Sequence, residues 1–311
     1  MATADLRIFL DTARGVAREA GALIRAAFDG RSHAIDFKET NAADLVTQTD
    51  RAVEDLCLRR LAEAFPEHAF IGEETTSAAA PAARTALGDR PTWIIDPVDG
   101  TMNFCHGFPF TAVSIGLCIG RRPVVGVVFN PILDQLFHAA EGLGAFVETP
   151  AGTQALPLSP AAVPPTLTTA LLATEYGAGK EPHVLEPKIA TIRRIVTRPV
   201  AGRGIRSVGS AALSMCLVAE GSVDAYYEAG IHAWDVCAGI VIVREAGGVA
   251  VNWTPPAGAA AVADEPIDVM ARSVLCVRGV KGAATGSQAA AQAALVGQLR
   301  ALIDPIDYPH D

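Results

Sequence analysis

Apolar positions recur every three to four residues near the start of the chain and again after residue 50. Further on, the pattern changes to short continuous runs. The first stretch predicts an amphipathic helix over about Leu6 to Ala27; the helical spacing of Val53, Leu56, Cys57, Arg60 and Leu61 predicts a second over Asp50 to Phe65. Short apolar strands follow at Phe70-Ile71-Gly72 and Trp93-Ile94-Ile95. Between Thr111 and Val147, apolar runs broken at Arg121-Arg122-Pro123 and Pro131-Ile132-Leu133-Asp134 predict an antiparallel meander. The Pro- and Ala-rich stretch from Ala151 to Pro165 reads as a surface connection. Strand and helix then alternate: strand at Ala170 to Thr174, helix around Pro187 to Val196, strand near Ile205 to Val208, helix at Ala211 to Ala219, and strand at Ala225 to Tyr227. A buried helix through Ile240, Val241 and Val243 stops at Glu245-Ala246-Gly247-Gly248. Strands at Val249 to Asn252 and Ser273 to Val277, and an Ala-rich helix after Ser287, close the sequence, which shows no internal repeat.

The strand at Trp93 breaks into Asp96-Pro97-Val98-Asp99-Gly100-Thr101. Pro97 fixes φ and donates no hydrogen bond, so the chain leaves the strand sharply and the two carboxylates can converge. Together with the carbonyl of Val98 they are hard oxygen ligands of the kind Mg²⁺ takes. Gly100 lets the backbone approach a ligand; if a helical turn starts there, the amides of Gly100 and Thr101 face an anion and the Thr101 hydroxyl positions a water. Asp, Pro and Gly are also ordinary turn residues, so this segment alone leaves a plain polar turn open. The other acids carry similar alternatives. Asp50 and Asp235 stand at helix starts, where a carboxylate can simply cap free amides. Glu73 and Glu74 end a strand and point to opposite faces, so one can enter a site while a solvated loop explains both equally well.

Composition narrows the classes. At 311 residues and 50% hydrophobic, the chain can bury a substantial core, as two domains or one large layered one. A net charge of −9 without any basic run argues against a nucleic-acid surface and leaves phosphate binding to metals. Six cysteines without C-x-x-C pairing read as reduced core residues of a cytoplasmic protein. The seven histidines show no zinc spacing, so zinc hydrolysis finds no support, and His232 reads as a packing or substrate-side residue. A G-x-S-x-G elbow is absent, and Gly202-Arg203-Gly204-Ile205-Arg206-Ser207 lacks the third glycine of a dinucleotide fingerprint. No apolar run approaches the ~18 residues of a membrane span, and no signal-type apolar core precedes the first helix, so neither secretion nor membrane spanning is expected.

Taken together, the segments G-E-E at 72–74, W-I-I-D-P-V-D-G-T-M-N-F at 93–104 and W-D-V-C-A-G at 234–239, supported by D-L-V-T-Q-T-D at 44–50, resemble the inositol monophosphatase family. The likeness continues through Gly204 to Ala212 and Asp224 to His232, and covers nearly the whole chain. It implies an α/β fold, a layered αβαβα sandwich. An N-terminal half, 1–150, would carry most metal ligands, and a C-terminal half, 151–311, would carry Asp235 and the substrate wall. The active site would lie where the halves meet, in a homodimer. The implied activity is Mg²⁺-dependent, lithium-sensitive hydrolysis of inositol monophosphates. L-galactose 1-phosphate or another sugar phosphate is the alternative substrate, and a non-catalytic polyol-phosphate sensor the alternative class.

Carried over residue by residue, Glu73, Asp96 and the Val98 carbonyl would hold one Mg²⁺, and Asp96, Asp99 and Asp235 a second, with a third loosely held near Glu73. The implied chemistry is in-line phosphoryl transfer to water without a phosphoenzyme. Glu73 and Thr101 would orient that water, with Asp50 accepting from Thr101. Gly100, Thr101, Ser210, Ala211 and Asp235 would line the substrate, and Glu228 would meet the inositol hydroxyls, selecting a polyol because an alcohol lacking the hydroxyl leaves a buried acceptor unpaired. Lys38 lies six residues before Asp44, one more than in animal members, so its place near the phosphate departs from the family pattern.

Overall fold

The computed structural model describes residues 3–30, 35–37, 45–79, 86–159, 166–255, 262, 265–280, 282, 285–304, 306 and 308. The chain opens with α1 (Thr3–Gly30), a small antiparallel pair of β1 (Ile35–Phe37) and β2 (Leu45–Thr47), and α2 (Gln48–Ala64). Seven strands follow: β3 (Ala69–Gly72), β4 (Thr92–Asp99), β5 (Ala112–Ile119), β6 (Arg122–Asn130), β7 (Gln135–Ala140), β8 (Gly144–Thr149) and β9 (Gly152–Ala155). They lie side by side in that order, β3 parallel to β4 and the rest an antiparallel meander. Short helices α3 (Glu73–Ala78) and α4 (Thr101–His106) leave the ends of β3 and β4. The later chain supplies β10 (Leu171–Ala173), α5 (Pro182–Val196), β11 (Gly204–Arg206), α6 (Ala211–Glu220), β12 (Ala225–Ala229), α7 (Ala233–Glu245), β13 (Val249–Val251), β14 (Ser273–Val277) and α8 (Thr285–Leu302). Its strands form a five-stranded sheet of order β11-β10-β12-β14-β13.

Alternation along β4 shows how the layers arise. Trp93 and Ile95 point to a core shared with Ala17 and Ile24 of α1 and with Val53 and Leu61 of α2. Ile94, between them, points the other way, into a core with Met215 of α6 and Cys237 and Val241 of α7. That middle core also takes in Tyr226, Val274 and Cys276 of the second sheet. Outside it, Leu172, Ala225 and Leu275 meet Ile195 of α5 and Leu295 and Leu299 of α8. The result is the expected αβαβα stack. Strands covered on both faces read as continuous apolar runs, which is why the sequence shows little alternation there.

Three boundaries differ from the sequence reading. Glu73 and Glu74 do not end a strand; they open α3, so the opposite-faces argument does not apply to them. The helix expected from Pro187 begins at Pro182, where a missing N–H is harmless, and carries Pro187 inside it. Within the expected connection from Ala151, residues Gly152–Ala155 form an edge strand whose positions are all exposed, leaving no apolar signal to read. No helix among the described residues is long and apolar enough to cross a membrane.

Candidate metal and phosphate site

β4 is buried at every position and pairs with β5 in register down to Asp96↔Ser114, then slips before Asp99↔Ala112. The slip falls at Pro97, which cannot donate to the ladder. Asp96 Oδ1 accepts the Val98 N–H at 3.0 Å, and Gly100, at φ +85°, turns the chain into α4. Asp99 is gripped from the later half of the chain. One of its oxygens accepts the Ser210 hydroxyl and the Ala212 N–H (2.8 Å), the other the Ala211 N–H (3.3 Å). These donors form the start of α6, where Ser210 also caps the helix by accepting the Leu213 N–H at 3.1 Å, and where the helix dipole favours a carboxylate.

Asp235 comes in on the first turn of α7, with Oδ2 accepting the His232 N–H at 2.6 Å. The helix lies close on the first sheet because β5 and β6 present Gly116 and Gly126 beneath it. A Cβ at Gly126 would stand 2.2 Å from the Ala238 carbonyl oxygen, and one at Gly116 2.4 Å from Cys237 Sγ. The Ser114 hydroxyl ties β5 to the start of the helix by donating to the Trp234 carbonyl at 3.2 Å. His232 stacks on Trp234 with ring centroids 4.4 Å apart, a packing role. With β4 and α7 so placed, Asp96, Asp99 and Asp235 each offer a carboxylate oxygen, all within 4.8 Å of one another.

Beside this trio lies an open cleft of about 470 Å³ lined by Asp99, Gly100, Thr101, Ser210, Ala211, Glu228 and Asp235 among others. Glu228 reaches it from β12, its Oε2 accepting the Tyr226 hydroxyl. The pattern of the inositol monophosphatase family matches residues 5–300.

The chain belongs to the inositol monophosphatase family.

Inositol monophosphatase 1 of Bos taurus is 40% identical over 266 residues, covering 86% of this chain and 88% of the bovine one. The structure of extragenic suppressor protein suhB from Bartonella henselae superposes with a TM-score of 0.73 at 27% identity, over 95% of this chain and 98% of that one. SaIMPase-II with inositol monophosphate bound superposes with a TM-score of 0.62 at 27% identity, over 94% and 98% of the two chains.

Electrostatics in this family member test the site's fit to a metal. Burial pushes the Asp96 carboxyl well above its usual range, and the charges of Glu73, Asp99, Asp235 and Asp50 push it further the same way. Burial, then the charge of Asp235, raises Asp99 to about 7 against the hydrogen bonds from Ser210, Ala212 and Ala211. Buried acids that repel one another in this way are what a divalent cation neutralises, and a donor set of carboxylate and carbonyl oxygens suits Mg²⁺. Glu73 stands outside the trio on the first turn of α3, and Asp50, 1% exposed, sits in the first turn of α2. The Thr101 hydroxyl corrects one expectation: it donates to the Val98 carbonyl at 3.1 Å, not to Asp50. Lys38 and Asp44 lie outside the described residues.

Three residues that the sequence reading passed over hold the site in shape. Glu54, 2% exposed, accepts the Glu74 and Thr75 N–H groups at 2.8 Å each and so fixes the start of α3 beside Glu73. Its signal was available, since it follows Asp50 by one helical turn. Asn103 donates to the Phe110 and Val208 carbonyls at 2.7 Å each, and Glu175 accepts the Gly209 N–H at 2.8 Å. Both brace the loop that delivers Ser210, a partnership between distant segments that no local spacing reveals.

Proposed function

We propose that this protein is a Mg²⁺-dependent inositol-phosphate phosphatase, hydrolysing inositol monophosphates to inositol and phosphate. The observation that carries the reading is the convergence of Asp96 and Asp99 from β4 with Asp235 from α7 at one end of a cleft that Glu228 also lines. Family membership and the inositol monophosphate bound to SaIMPase-II support the substrate class.

Glu73, Asp96 and the Val98 carbonyl would hold one Mg²⁺, and Asp96, Asp99 and Asp235 a second, with a third more loosely near Glu73. When bound, such ions neutralise phosphate charge and lower the pKa of water. The chain's own groups do the rest. Thr101 donates its hydroxyl proton to Val98, so its oxygen lone pairs remain to accept from the attacking water, which Glu73 orients with it. The Gly100 and Thr101 amides open α4 towards the phosphate, and Ser210 and Ala211 form the adjoining wall. Glu228 accepts from a polyol hydroxyl, while Asp50 adds to the negative field on Asp96. In this reading residues 1–150 supply most ligands and residues 151–311 supply Asp235 and the substrate wall. A homodimer in the cytoplasm and sensitivity to lithium belong to the same reading.

The test is Mg²⁺-dependent phosphate release from myo-inositol 1-phosphate, L-galactose 1-phosphate, fructose 1,6-bisphosphate and adenosine 3′,5′-bisphosphate. The highest kcat/KM on the inositol ester, with inhibition by tens of millimolar LiCl, is the expected result. A lead for L-galactose 1-phosphate would keep the chemistry and change the substrate; no turnover on any ester would overturn the proposal in favour of a polyol-phosphate sensor.

A further inference from the structure

Lys188 is a lysine inside the fold, 9% exposed, one residue after the proline within α5. Its ammonium donates to the Tyr176 carbonyl at 3.0 Å and to the Ala229 carbonyl at 2.8 Å. Those carbonyls belong to the loop after β10 and the end of β12, the two segments that flank Glu228. A Cβ built on Gly177, at φ +71°, would lie 2.9 Å from Lys188 Nζ and 4.0 Å from Glu228 Oε1, so ammonium and carboxylate border the same stretch of backbone. Both also line a cavity of about 10 Å³, roughly the room of one water.

An ammonium has three donors, and two of them are used on the carbonyls. Burying a charge is costly unless it is compensated. Other buried positions of α5, at Val184, Thr191 and Ile195, take apolar or small side chains, so helix packing alone does not call for a lysine at 188. Burial lowers the pKa of Lys188 while Glu228 raises it, and Lys188 in turn opposes the burial that lifts Glu228 to about 8.

We propose that Lys188 is a specificity-determining positioning residue: it clamps the Tyr176–Gly177 turn to β12 and sets Glu228 as the acceptor for a polyol hydroxyl. The proposal rests on the placing of Glu228 in the substrate wall, and its test separates the two. Lys188→Met, Lys188→Arg, Glu228→Gln and the double variant Lys188→Met/Glu228→Gln are compared on myo-inositol 1-phosphate and on p-nitrophenyl phosphate, which has no polyol hydroxyls. Lys188→Met is expected to raise KM for the inositol ester about tenfold, on the scale of one lost charge-assisted hydrogen bond. The change in kcat, and in KM for the nitrophenyl ester, should stay within about twofold, and Lys188→Arg should recover part of the loss. In the Glu228→Gln background, Lys188→Met should add almost nothing, because the two act as a unit. If Glu228→Gln discriminates between the esters but the two substitutions add independently, or if Lys188→Met affects both esters alike, the role of Lys188 is overturned. A Glu228→Gln variant that treats both esters alike removes the substrate-wall reading and this role with it. Should Lys188→Met fail to fold, Lys188→Arg alone decides: unequal KM effects on the two esters support the role, and equal effects overturn it.

Discussion

The cleft has two acidic corners, and burial raises the carboxyls in both against different sets of neighbours. At the end of β4, Asp96 and Asp99 lie near Asp235, Glu73 and Asp50, and the charges acting on Asp96 are all negative. Across the cleft, Glu228 is equally enclosed and feels the charges of Glu175 and Asp235, but the Tyr226 hydroxyl and the Lys188 ammonium both oppose the cost of its own charge. A corner where three carboxylates converge within 4.8 Å and no cationic side chain offsets Asp96 is built for a cation from outside. A corner furnished with its own donor and cation is built to meet a neutral hydroxyl. In the proposed reading, the same side-chain chemistry thus separates reaction centre from recognition surface by the company each carboxylate keeps.

The sharpest way to break this contrast is Asp99→Asn, which keeps the hydrogen bonding to Ser210 in outline and removes one negative charge. Turnover of myo-inositol 1-phosphate should fall at least about a hundredfold, the scale of lost transition-state electrostatics; near-normal kcat would move the reaction centre elsewhere. At the other corner, Glu228→Ala should act on KM, raising it about tenfold for inositol phosphates and much less for a hydroxyl-poor phosphate. Steady-state kinetics on the two ester types would show the difference, and a matched loss of kcat on both would erase the division of labour.

A third change probes how α7 delivers Asp235. Gly126→Ala places a methyl against the Ala238 backbone, so the helix must shift. Overpacking of this kind costs about 1–3 kcal/mol, read by chemical denaturation, and the Mg²⁺ concentration for half-maximal activity should rise with it. The smallest effect concerns pH. Glu228 has a folded-state pKa of about 8 against an ordinary 4.5. The folded state thus keeps a proton that the unfolded chain has released, and this group's contribution to stability declines as pH rises from about 4.5 to about 8. Glu228→Gln carries no such proton. Its melting temperature relative to the parent should therefore climb by a few degrees across that window; a constant difference would mean that Glu228 is ionised throughout.

Much of this was legible in the sequence, for identifiable reasons. Apolar runs gave the sandwiched strands and α7, because elements buried on both sides leave no polar positions to blur the pattern. Pro97 and Gly100 announced the turn that brings Asp96 and Asp99 together, since each limits the backbone in its own way. Glu73 was found as a residue but misplaced as to element, because two acids after an apolar strand fit a strand end as well as a helix start. The donation from Thr101 to Val98 was not legible at all: a hydroxyl's choice between acceptors depends on angles set by the fold. Glu175 and Lys188 stayed hidden because their partners, Gly209 and Ala229, lie far along the chain and make contact through backbone atoms that no residue type advertises.

The grip of α6 on Asp99 has a consequence for the life of the molecule before it is finished. A ribosome releases Asp96 and Asp99 long before Ser210, Ala212 and Asp235, so the nascent first half carries Asp99 without its α6 donors and both acids without their third partner. On the proposed ligand set, competence to cleave a phosphate ester arrives only with the last third of synthesis, and a product truncated before Asp235 is expected to be silent, not partly active.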